Sequence, residues 1–246
     1  MPDQEGLDWR YTPSEELDLD AVARLKHFPR EPEMYIYALR SMAALGLRTW
    51  LRLYHRFEVS GLEHLPREGS FVLVANHASH LDALCLLSAL PLKKLHRAFP
   101  AAAKDYFFSN LQGLGFSVIL LNAIPFERSA RAGQSLAMCR QLLANPGNIL
   151  ILFPEGTRTQ TGHLGPFKPG IGSLVAGTGV PVVPCFLHGA FAAFPKGASF
   201  PRPWKVRLVI GEPRTFEEVP DSREGVHRVA QELFEAVARL EAGKTP

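Results

Sequence analysis

The chain has 246 residues, of which 46% are hydrophobic and 21% charged, so it can form one well-buried core and suits a single α/β domain. Its three cysteines lie far apart and form no C-x-x-C pair, which excludes a disulfide framework or a thiolate zinc site and fits a reducing compartment. The acidic, polar N-terminus does not resemble a secretory signal. No zinc-finger, basic-zipper or RNA-binding motif is present, so no nucleic-acid partner is expected.

The net charge of +3 is unevenly distributed along the chain. Residues 1–33 contain nine Asp or Glu against four Lys or Arg, a balance of −5, so the remainder carries +8. A mildly basic body suits an anionic partner, such as a phosphorylated substrate, an acidic carrier protein or an anionic membrane surface. It is equally compatible with ordinary solubility.

The N-terminal region divides into an arm and a helix. Residues 1–32 are predicted to form an acidic arm, with a short helix over Asp18–Phe28 that ends before Pro29. Residues 33–54 predict one amphipathic helix, with its three arginines on one half of the helical wheel and most large apolar side chains on the other. The arginines interrupt the apolar run, so the helix is not a membrane span. It can lie in a membrane interface or pack flat on the domain, because both need the same amphipathic pattern.

Residues 55–246 are predicted to form one domain in which strands and helices alternate. The predicted strands are Arg56–Val59, Phe71–Ala75, Leu95–Ala103, Val118–Asn122, Asn148–Phe153, Val182–His188 and Lys205–Ile210. The predicted helices are Asp82–Leu90, Asp105–Leu114, Arg131–Ala144, Gly170–Thr178 and Arg223–Leu240. This order predicts an α/β fold with a mixed, largely parallel sheet flanked by helices. In such sheets functional residues gather at the carboxyl ends of the strands.

The stretch V-L-V-A-N-H-A-S-H-L-D, Val72–Asp82, changes from a buried strand to a polar turn. A neutral His77 can accept a proton from a hydroxyl, and Asp82 on its other ring nitrogen would fix the tautomer and stabilise the imidazolium. No G-x-S-x-G motif is present, so the attacking hydroxyl is expected to belong to the substrate. Two alternatives remain open: Ser79 and Asp82 match a helix capping box, and His77, His80 and Asp82 could begin a metal site.

A second strand runs into the polar turn L-F-P-E-G-T-R-T-Q-T-G, Leu152–Gly162. Gly156 lets the backbone approach a ligand, Arg158 offers a planar fork for two phosphate oxygens, and Thr157 adds a hydroxyl. Glu155 can accept a hydrogen bond from a substrate hydroxyl or hold Arg158 in place. The alternative is an ordinary turn with a solvated ion pair.

Two further segments can contribute to a ligand site. In I-P-F-E-R, Ile124–Arg128, the arginine follows a predicted strand and is a second candidate for anion binding. A Pro-rich loop after the strand Val182–His188 contains aromatic residues that can line an acyl pocket, enter lipid or fill the core. These residues are Phe191, Phe194, Phe200 and Trp204.

Five motifs occur together in one order. They are N-H-x-S-x-x-D (Asn76–Asp82), P-F-E-R (Pro125–Arg128), F-P-E-G-T-R-T (Phe153–Thr159), F-K-P-G (Phe167–Gly170) and V-P-V-V-P (Val180–Pro184). This set resembles the glycerolipid acyltransferase family, and within it the lysophosphatidate (1-acylglycerol-3-phosphate) acyltransferases. The resemblance extends over about residues 70–211.

The resemblance implies an enzyme at the cytoplasmic face of a membrane, bound peripherally or monotopically. Such an enzyme moves a fatty acyl group from acyl-CoA or acyl carrier protein to a hydroxyl of a lysophospholipid, with lysophosphatidate as the leading expectation. No metal ion or other cofactor is implied. Two other functions stay open: a thioesterase-like hydrolase that uses water, and a non-catalytic lipid-binding domain.

The resemblance also assigns roles to individual residues. It implies that His77 is the general base and that Asp82 orients it. It places Lys104 near the developing oxyanion. The acceptor's phosphate and glycerol are assigned to Arg128, Glu155, Gly156 and Arg158, with Thr157 in the same turn.

Overall fold

The computed structural model of the chain describes residues 34–103, 124–126 and 132–243. The strands in these residues are β1 (Glu58–Ser60), β2 (Phe71–Ala75), β3 (Ala98–Ala103), β4 (Ile124–Phe126), β5 (Ile149–Leu152), β6 (Val182–His188) and β7 (Arg207–Ile210). The α-helices are α1 (Met34–Tyr54), α2 (Asp82–Ala89), α3 (Ala132–Ala144), α4 (Gly170–Val175), α5 (Ala190–Ala193) and α6 (Arg223–Glu241). Two 3₁₀ helices span Leu62–His64 and Leu92–Arg97.

The described strands form one seven-stranded sheet in the order β1-β7-β6-β2-β5-β3-β4. Five of the six pairings between them are parallel, and only β6 and β7 run antiparallel. The predicted α/β fold with a mixed, largely parallel sheet is therefore confirmed. Because β2 lies between β5 and β6 and is parallel to both, the carboxyl ends of these three strands meet at one edge of the sheet.

Strand β2 is central and all five of its residues are buried. Its side chains alternate between two apolar layers, as period-2 geometry requires. Val72 and Val74 join the core beneath α3, α4 and α6. Phe71, Leu73 and Ala75 join the core beneath α1 and α2. Helices on both faces explain why β2 is a continuous apolar run in the sequence.

Several predicted boundaries differ from the structure. The predicted strand Leu95–Ala103 begins only at Ala98, because residues 92–97 form a 3₁₀ helix after Pro91. Helix α5 was not predicted, and neither was β4, which follows the predicted strand Val118–Asn122. The segments Val118–Asn122, Asp18–Phe28 and Asp105–Leu114 lie outside the described residues.

Helix α1 packs on the domain with a side that carries arginine, and this orientation could not be read from the helical wheel. Arg48 donates to the carbonyl of Leu90 at the end of α2, and Leu51 is fully buried. The opposite side presents an apolar strip with exposed fractions from 46% to 76%, formed by Leu39, Met42, Leu45 and Leu53. None of the helices in the described residues is long and apolar enough to cross a membrane.

Helices α4 and α6 approach each other closely at Gly172. A Cβ atom on Gly172 would lie 2.0 Å from the backbone oxygen of Val226 in α6. Only a hydrogen atom fits at this position, so glycine is needed for α4 and α6 to pack this closely.

We expect Gly172→Ala to push α4 away from α6 and to lower the free energy of unfolding by about 1–3 kcal/mol, the usual cost of overpacking. Gly46→Ala is the control, because a Cβ at Gly46 in α1 would meet nothing within 4 Å. This variant should be neutral or more stable by up to about 1 kcal/mol, since alanine favours helix. Urea denaturation measures both values, and equal effects of the two substitutions would contradict the close packing.

Candidate active site

The structure brings His77 and Asp82 together at the carboxyl end of β2. His77 Nδ1 lies 2.8 Å from Asp82 Oδ2, and the two side chains are 20% and 0% exposed. The same oxygen accepts hydrogen bonds from the backbone N–H groups of Ala78 at 2.7 Å and Ser79 at 2.8 Å. An ionised carboxylate accepts hydrogen bonds only, so Nδ1 carries the hydrogen and Nε2 of His77 keeps its lone pair. This is the tautomer that a general base needs.

The capping-box interpretation of this turn holds in part. Ser79 Oγ accepts from the backbone N–H of Leu81 and donates to the carbonyl of Phe194, 2.7 Å away. The N-cap residue of α2 is Leu81, which makes no side-chain cap. Asp82 does bond the N–H of Ser79, as in a capping box, but its carboxylate serves His77 through the same oxygen. The same turn therefore both begins helix α2 and orients the His77 imidazole.

The loop after β5 holds the backbone of His77 on both sides. The His77 N–H donates to Glu155 Oε1 at 2.7 Å, and the Thr159 N–H donates to the His77 carbonyl at 2.8 Å. The ring of Phe153 stacks on the imidazole, with centroids 4.2 Å apart and planes 17° from parallel. Two motifs that are about eighty residues apart in sequence thus form one hydrogen-bonded unit.

Glu155 is a buried carboxylate that bonds backbone amides through both of its oxygens. Its Oε2 accepts from the N–H of Gly165 at 2.9 Å, in addition to the bond from His77. Burial raises the pKa of Glu155, and the hydrogen bonds from His77 and Gly165 partly offset this rise. The carboxylate therefore ties the loop over residues 155–165 to the turn that carries His77.

Arg158 contacts the turn over residues 76–82 through a second histidine. One Nη atom of its guanidinium is hydrogen-bonded to His80 Nε2. His80 also packs on Phe194, with ring centroids 4.9 Å apart. Burial and the neighbouring positive charge of Arg158 lower the pKa of His80. The predicted anion-binding arginine is thus beside the His77–Asp82 pair, as adjacent strand ends require.

Gly156 has the left-handed conformation, with φ of 73°. A Cβ at this position would lie 2.6 Å from Lys168 Nζ, so the lysine passes directly over the glycine. Lys168 is exposed and belongs to the F-K-P-G motif, and the sequence alone assigns this lysine no role. Thr157 is exposed on the same turn. Two cations, Arg158 and Lys168, therefore lie close to Gly156, where the backbone is not shielded by a side chain.

Other site residues had either no predicted role or no described position. Asn76 joins the exits of β2 and β6, because its side chain accepts from the N–H of Leu187 and donates to the Leu187 carbonyl. The feature of the sequence that could have identified Asn76 as a site residue is its position at the exit of a buried strand. Lys104 and Arg128, assigned from the resemblance, lie outside the described residues.

The cysteines do not supply a nucleophile to this site. Cys85 is one turn of α2 beyond Asp82, but it is fully buried, and burial together with the Asp82 charge raises its thiol pKa. Burial also raises the pKa of Cys139 to about 12 and that of Cys185. A thiolate is therefore disfavoured at all three positions. Within the described residues, no group of three His, Cys, Asp or Glu side chains is arranged to hold a metal ion.

A family model described as Acyltransferase matches residues 56–188, which include His77, Asp82 and the loop with Arg158. The chain belongs to the acyltransferase family. This confirms the resemblance identified from the sequence motifs.

Curated relatives carry more specific names. The chain is 34% identical over 164 residues to the chloroplastic 1-acyl-sn-glycerol-3-phosphate acyltransferase BAT2 of Brassica napus, covering 65% of this chain and 45% of the relative. It is 33% identical over 129 residues to 1-acyl-sn-glycerol-3-phosphate acyltransferase alpha of Homo sapiens, covering 52% of this chain and 44% of that protein. The chain thus spans about half the length of these curated relatives.

A solved structure shares the fold. The crystal structure of the 1-acyl-sn-glycerophosphate acyltransferase PlsC from Thermotoga maritima superimposes with a TM-score of 0.64 at 29% identity. The alignment covers 85% of this chain and 80% of that structure. The acyltransferase fold therefore extends over most of the present chain, beyond the segment matched by the family model.

The raised pKa of Glu155 predicts a pH-dependent contribution to stability. Between the carboxyl pKa of the unfolded chain and the higher folded value, the folded protein binds more protons than the unfolded one. The free energy of unfolding should therefore fall as pH rises through this window. Glu155→Gln removes this dependence while adding a constant loss, because the amide has one oxygen for two N–H donors.

Urea unfolding of both proteins from pH 4 to neutral pH measures this effect. The stability advantage of the wild type over Glu155→Gln should be largest in acid and shrink as pH rises. Near-UV circular dichroism at neutral pH controls for a common fold. A constant difference across the series would contradict the raised pKa.

Proposed function

We propose that this protein transfers a fatty acyl group from an acyl thioester to a free hydroxyl of a lysophospholipid, with lysophosphatidate as the acceptor. The observation that supports this proposal best is the His77–Asp82 pair bonded to the loop that carries Arg158. A base with its lone pair available and an anion-binding arginine lie in one unit. The names of the relatives point to the same acceptor.

In the proposed reaction the acceptor hydroxyl donates to His77 Nε2. As the proton moves to Nε2, the hydroxyl oxygen forms a bond with the thioester carbonyl carbon. The carbon–sulfur bond then breaks, and the leaving thiolate takes the proton from the imidazolium. Asp82 stabilises the imidazolium during this transfer, because its carboxylate is buried against Nδ1. General-base catalysis of this kind contributes about 10²–10⁴-fold in rate.

The acceptor's phosphate is proposed to bind at the turn around Gly156. Arg158 can form a bidentate pair with two phosphate oxygens, and Lys168 adds a second positive charge above the glycine. By resemblance, Arg128 adds to this phosphate site and Lys104 stabilises the oxyanion. The proposal includes no metal ion or organic cofactor, and the acyl donor is either acyl-CoA or acyl carrier protein.

The activity is tested with the purified protein, an acyl thioester and lysophosphatidate, following thiol release and lipid mass together. We expect phosphatidate as the product. His77→Ala should lose about 10²–10⁴-fold in kcat with the fold retained, because the general base is gone. Asp82→Asn should also lose most turnover, since it removes the charge that stabilises the imidazolium while an oxygen remains for the backbone N–H groups.

Three outcomes would contradict the proposal. Free fatty acid as the main product in the presence of lysophosphatidate would indicate a hydrolase. Lipid binding without thiol release would indicate a non-catalytic domain. Near-wild-type kcat in His77→Ala, with unchanged circular dichroism, would exclude this histidine as the base.

The proposed reaction takes place on the surface of a membrane, because both the acceptor and the product are lipids. The apolar strip of α1 is suited to such a surface, since its four large side chains point away from the domain. Phe200 and Trp204, which are 82% and 54% exposed, lie in the loop after α5. This loop is bonded to the end of α1, where Tyr54 donates to the carbonyl of Pro201.

Part of this surface, the end of α1 and the aromatic loop, lies at the end of the sheet that carries His77, whereas the N-terminal half of α1 runs toward the opposite end, where Tyr37 contacts His96. The carboxyl end of β6, at His188, pairs with Arg207 at the start of β7, which in turn pairs with Glu58 at the start of β1. The end of α1 and the aromatic loop are therefore at the sheet edge where β2 delivers His77. The loop also begins at Phe194, whose carbonyl accepts from Ser79.

The charge of this surface favours anionic lipid. The exposed cations of two segments, residues 50–57 and 190–204, are Arg52, Arg56, Lys196 and Arg202, and neither segment contains Asp or Glu. Glu58, the next residue after the first segment, is paired with Lys205. Apolar side chains with a basic rim are typical of elements that lie in an anionic membrane interface. We therefore propose a peripheral position on the cytoplasmic face of a membrane, with the α1 strip and the aromatic loop against the lipid.

Co-sedimentation with vesicles of phosphatidylcholine, with and without phosphatidylglycerol, tests this docking surface. Binding should be stronger to the anionic vesicles. Leu53→Glu and Phe200→Glu should each weaken binding about tenfold or more, because each removes a large side chain from lipid. Leu62→Glu is the matched control, since Leu62 is 48% exposed but follows β1 at the opposite end of the sheet. Equal binding of Leu53→Glu, Phe200→Glu and the control would contradict the surface.

A further inference from the structure

His80 faces the candidate acceptor site and is not part of the His77–Asp82 pair. Its Nε2 is hydrogen-bonded to the guanidinium of Arg158, and its ring packs against Phe194. The bonds that shape the turn come from other groups, namely the carboxylate of Asp82 and the hydroxyl of Ser79. His80 is thus placed on the arginine by a turn whose backbone bonds do not require an imidazole.

We infer that His80 is a positioning residue, whose neutral imidazole holds the guanidinium of Arg158 toward the phosphate of the acceptor. The inference rests on the proposed acyl transfer to lysophosphatidate and adds a specificity element to the same site. An arginine has five N–H donors, so the hydrogen bond to His80 occupies only one of them. A fixed guanidinium loses less conformational freedom when the acceptor binds.

The contact requires one particular form of His80. Arginine is always a donor, so Nε2 must be the acceptor and Nδ1 must carry the hydrogen. A protonated His80 has no lone pair and would repel Arg158. The ionisable groups that act on His80 within the described part of the chain are Arg158, His77 and Asp82. Burial, Arg158 and His77 favour the neutral ring, and Asp82 opposes them.

The arrangement therefore makes acceptor affinity sensitive to acid. As pH falls and His80 becomes protonated, the contact between His80 and Arg158 is lost, and the KM for a phosphate-bearing acceptor rises. The turnover of bound acceptor is affected less, since the bond between His77 and Asp82 does not involve His80. A merely structural histidine would change stability without this separation of KM from kcat.

The test compares His80→Phe with His80→Gln. Phenylalanine keeps the ring against Phe194 and removes the acceptor, whereas glutamine supplies an amide oxygen in place of Nε2. We expect His80→Phe to raise the KM for lysophosphatidate about tenfold with little change in kcat. His80→Gln should retain a KM close to that of the wild type. Monoacylglycerol, which lacks phosphate, should be used equally by all three proteins.

The pH profile provides the second readout. The ratio of the wild-type KM to that of His80→Gln should rise in acid, because the ionisation of the substrate phosphate is common to both and cancels. Equal KM values for the phenylalanine and glutamine variants, a loss confined to kcat, or a ratio independent of pH would overturn the inference. If the wild type forms no phosphatidate, the proposed function itself fails.

A measurement that does not depend on turnover separates a failure of the His80 inference from a failure of the proposed function. Nitrogen-15 NMR of histidine-labelled protein reports which ring nitrogen carries the hydrogen, and the His80 signals are those lost in His80→Gln. We expect the Nδ1–H tautomer, with an Nε2 shift that changes in Arg158→Ala. The Nε2–H tautomer, or signals unaffected by Arg158→Ala, would overturn the contact whatever the activity.

Discussion

The position of the His77 imidazole depends on hydrogen bonds to the backbone of His77 itself. Glu155 accepts from the N–H of His77 and Thr159 donates to its carbonyl, so both backbone polar groups of His77 are hydrogen-bonded to the loop after β5. The arrangement is available only because β2 and β5 are adjacent and parallel, with their exits at one edge. The strand order is thus the constraint on which the geometry of the site depends.

Two buried carboxylates hold the site together, and both do so by accepting backbone N–H groups. Asp82 bonds Ala78 and Ser79, and Glu155 bonds Gly165 as well as His77. Burying a carboxylate is unfavourable unless it is hydrogen-bonded, so these bonds offset part of the desolvation, although Oδ1 of Asp82 is buried with no hydrogen-bond partner among the described residues. As a result, the loops that would contact substrate are fixed before any substrate arrives, which is the arrangement that transition-state stabilisation requires.

The sequence predicted those features that follow from periodicity and strand exits. The apolar run of β2 identified a buried strand, and the strand exits predicted that functional residues would gather at one edge of the sheet. The central position of β2 and its pairing with β5 were not predicted. Glu155 was predicted to bind a substrate hydroxyl or Arg158, and its hydrogen bonds to the backbone of His77 and Gly165 were not predicted, because they depend on the path by which the loop returns at Gly165. The helical wheel of α1 separated a polar face from an apolar face but did not show which face packs on the domain. That is decided by tertiary contacts such as the one between Arg48 and Leu90. The roles assigned to Lys104 and Arg128 stay predictions.

The outward face of α1 also has a consequence for handling the isolated protein. In aqueous buffer its leucines and methionine are exposed to water, which is unfavourable. Contact with the same face of another copy would bury them. We therefore expect reversible clustering that increases with concentration and strong retention on alkyl chromatography media. Mild detergent should disperse the clusters without unfolding the core, because the strip is separate from the two buried layers around the sheet.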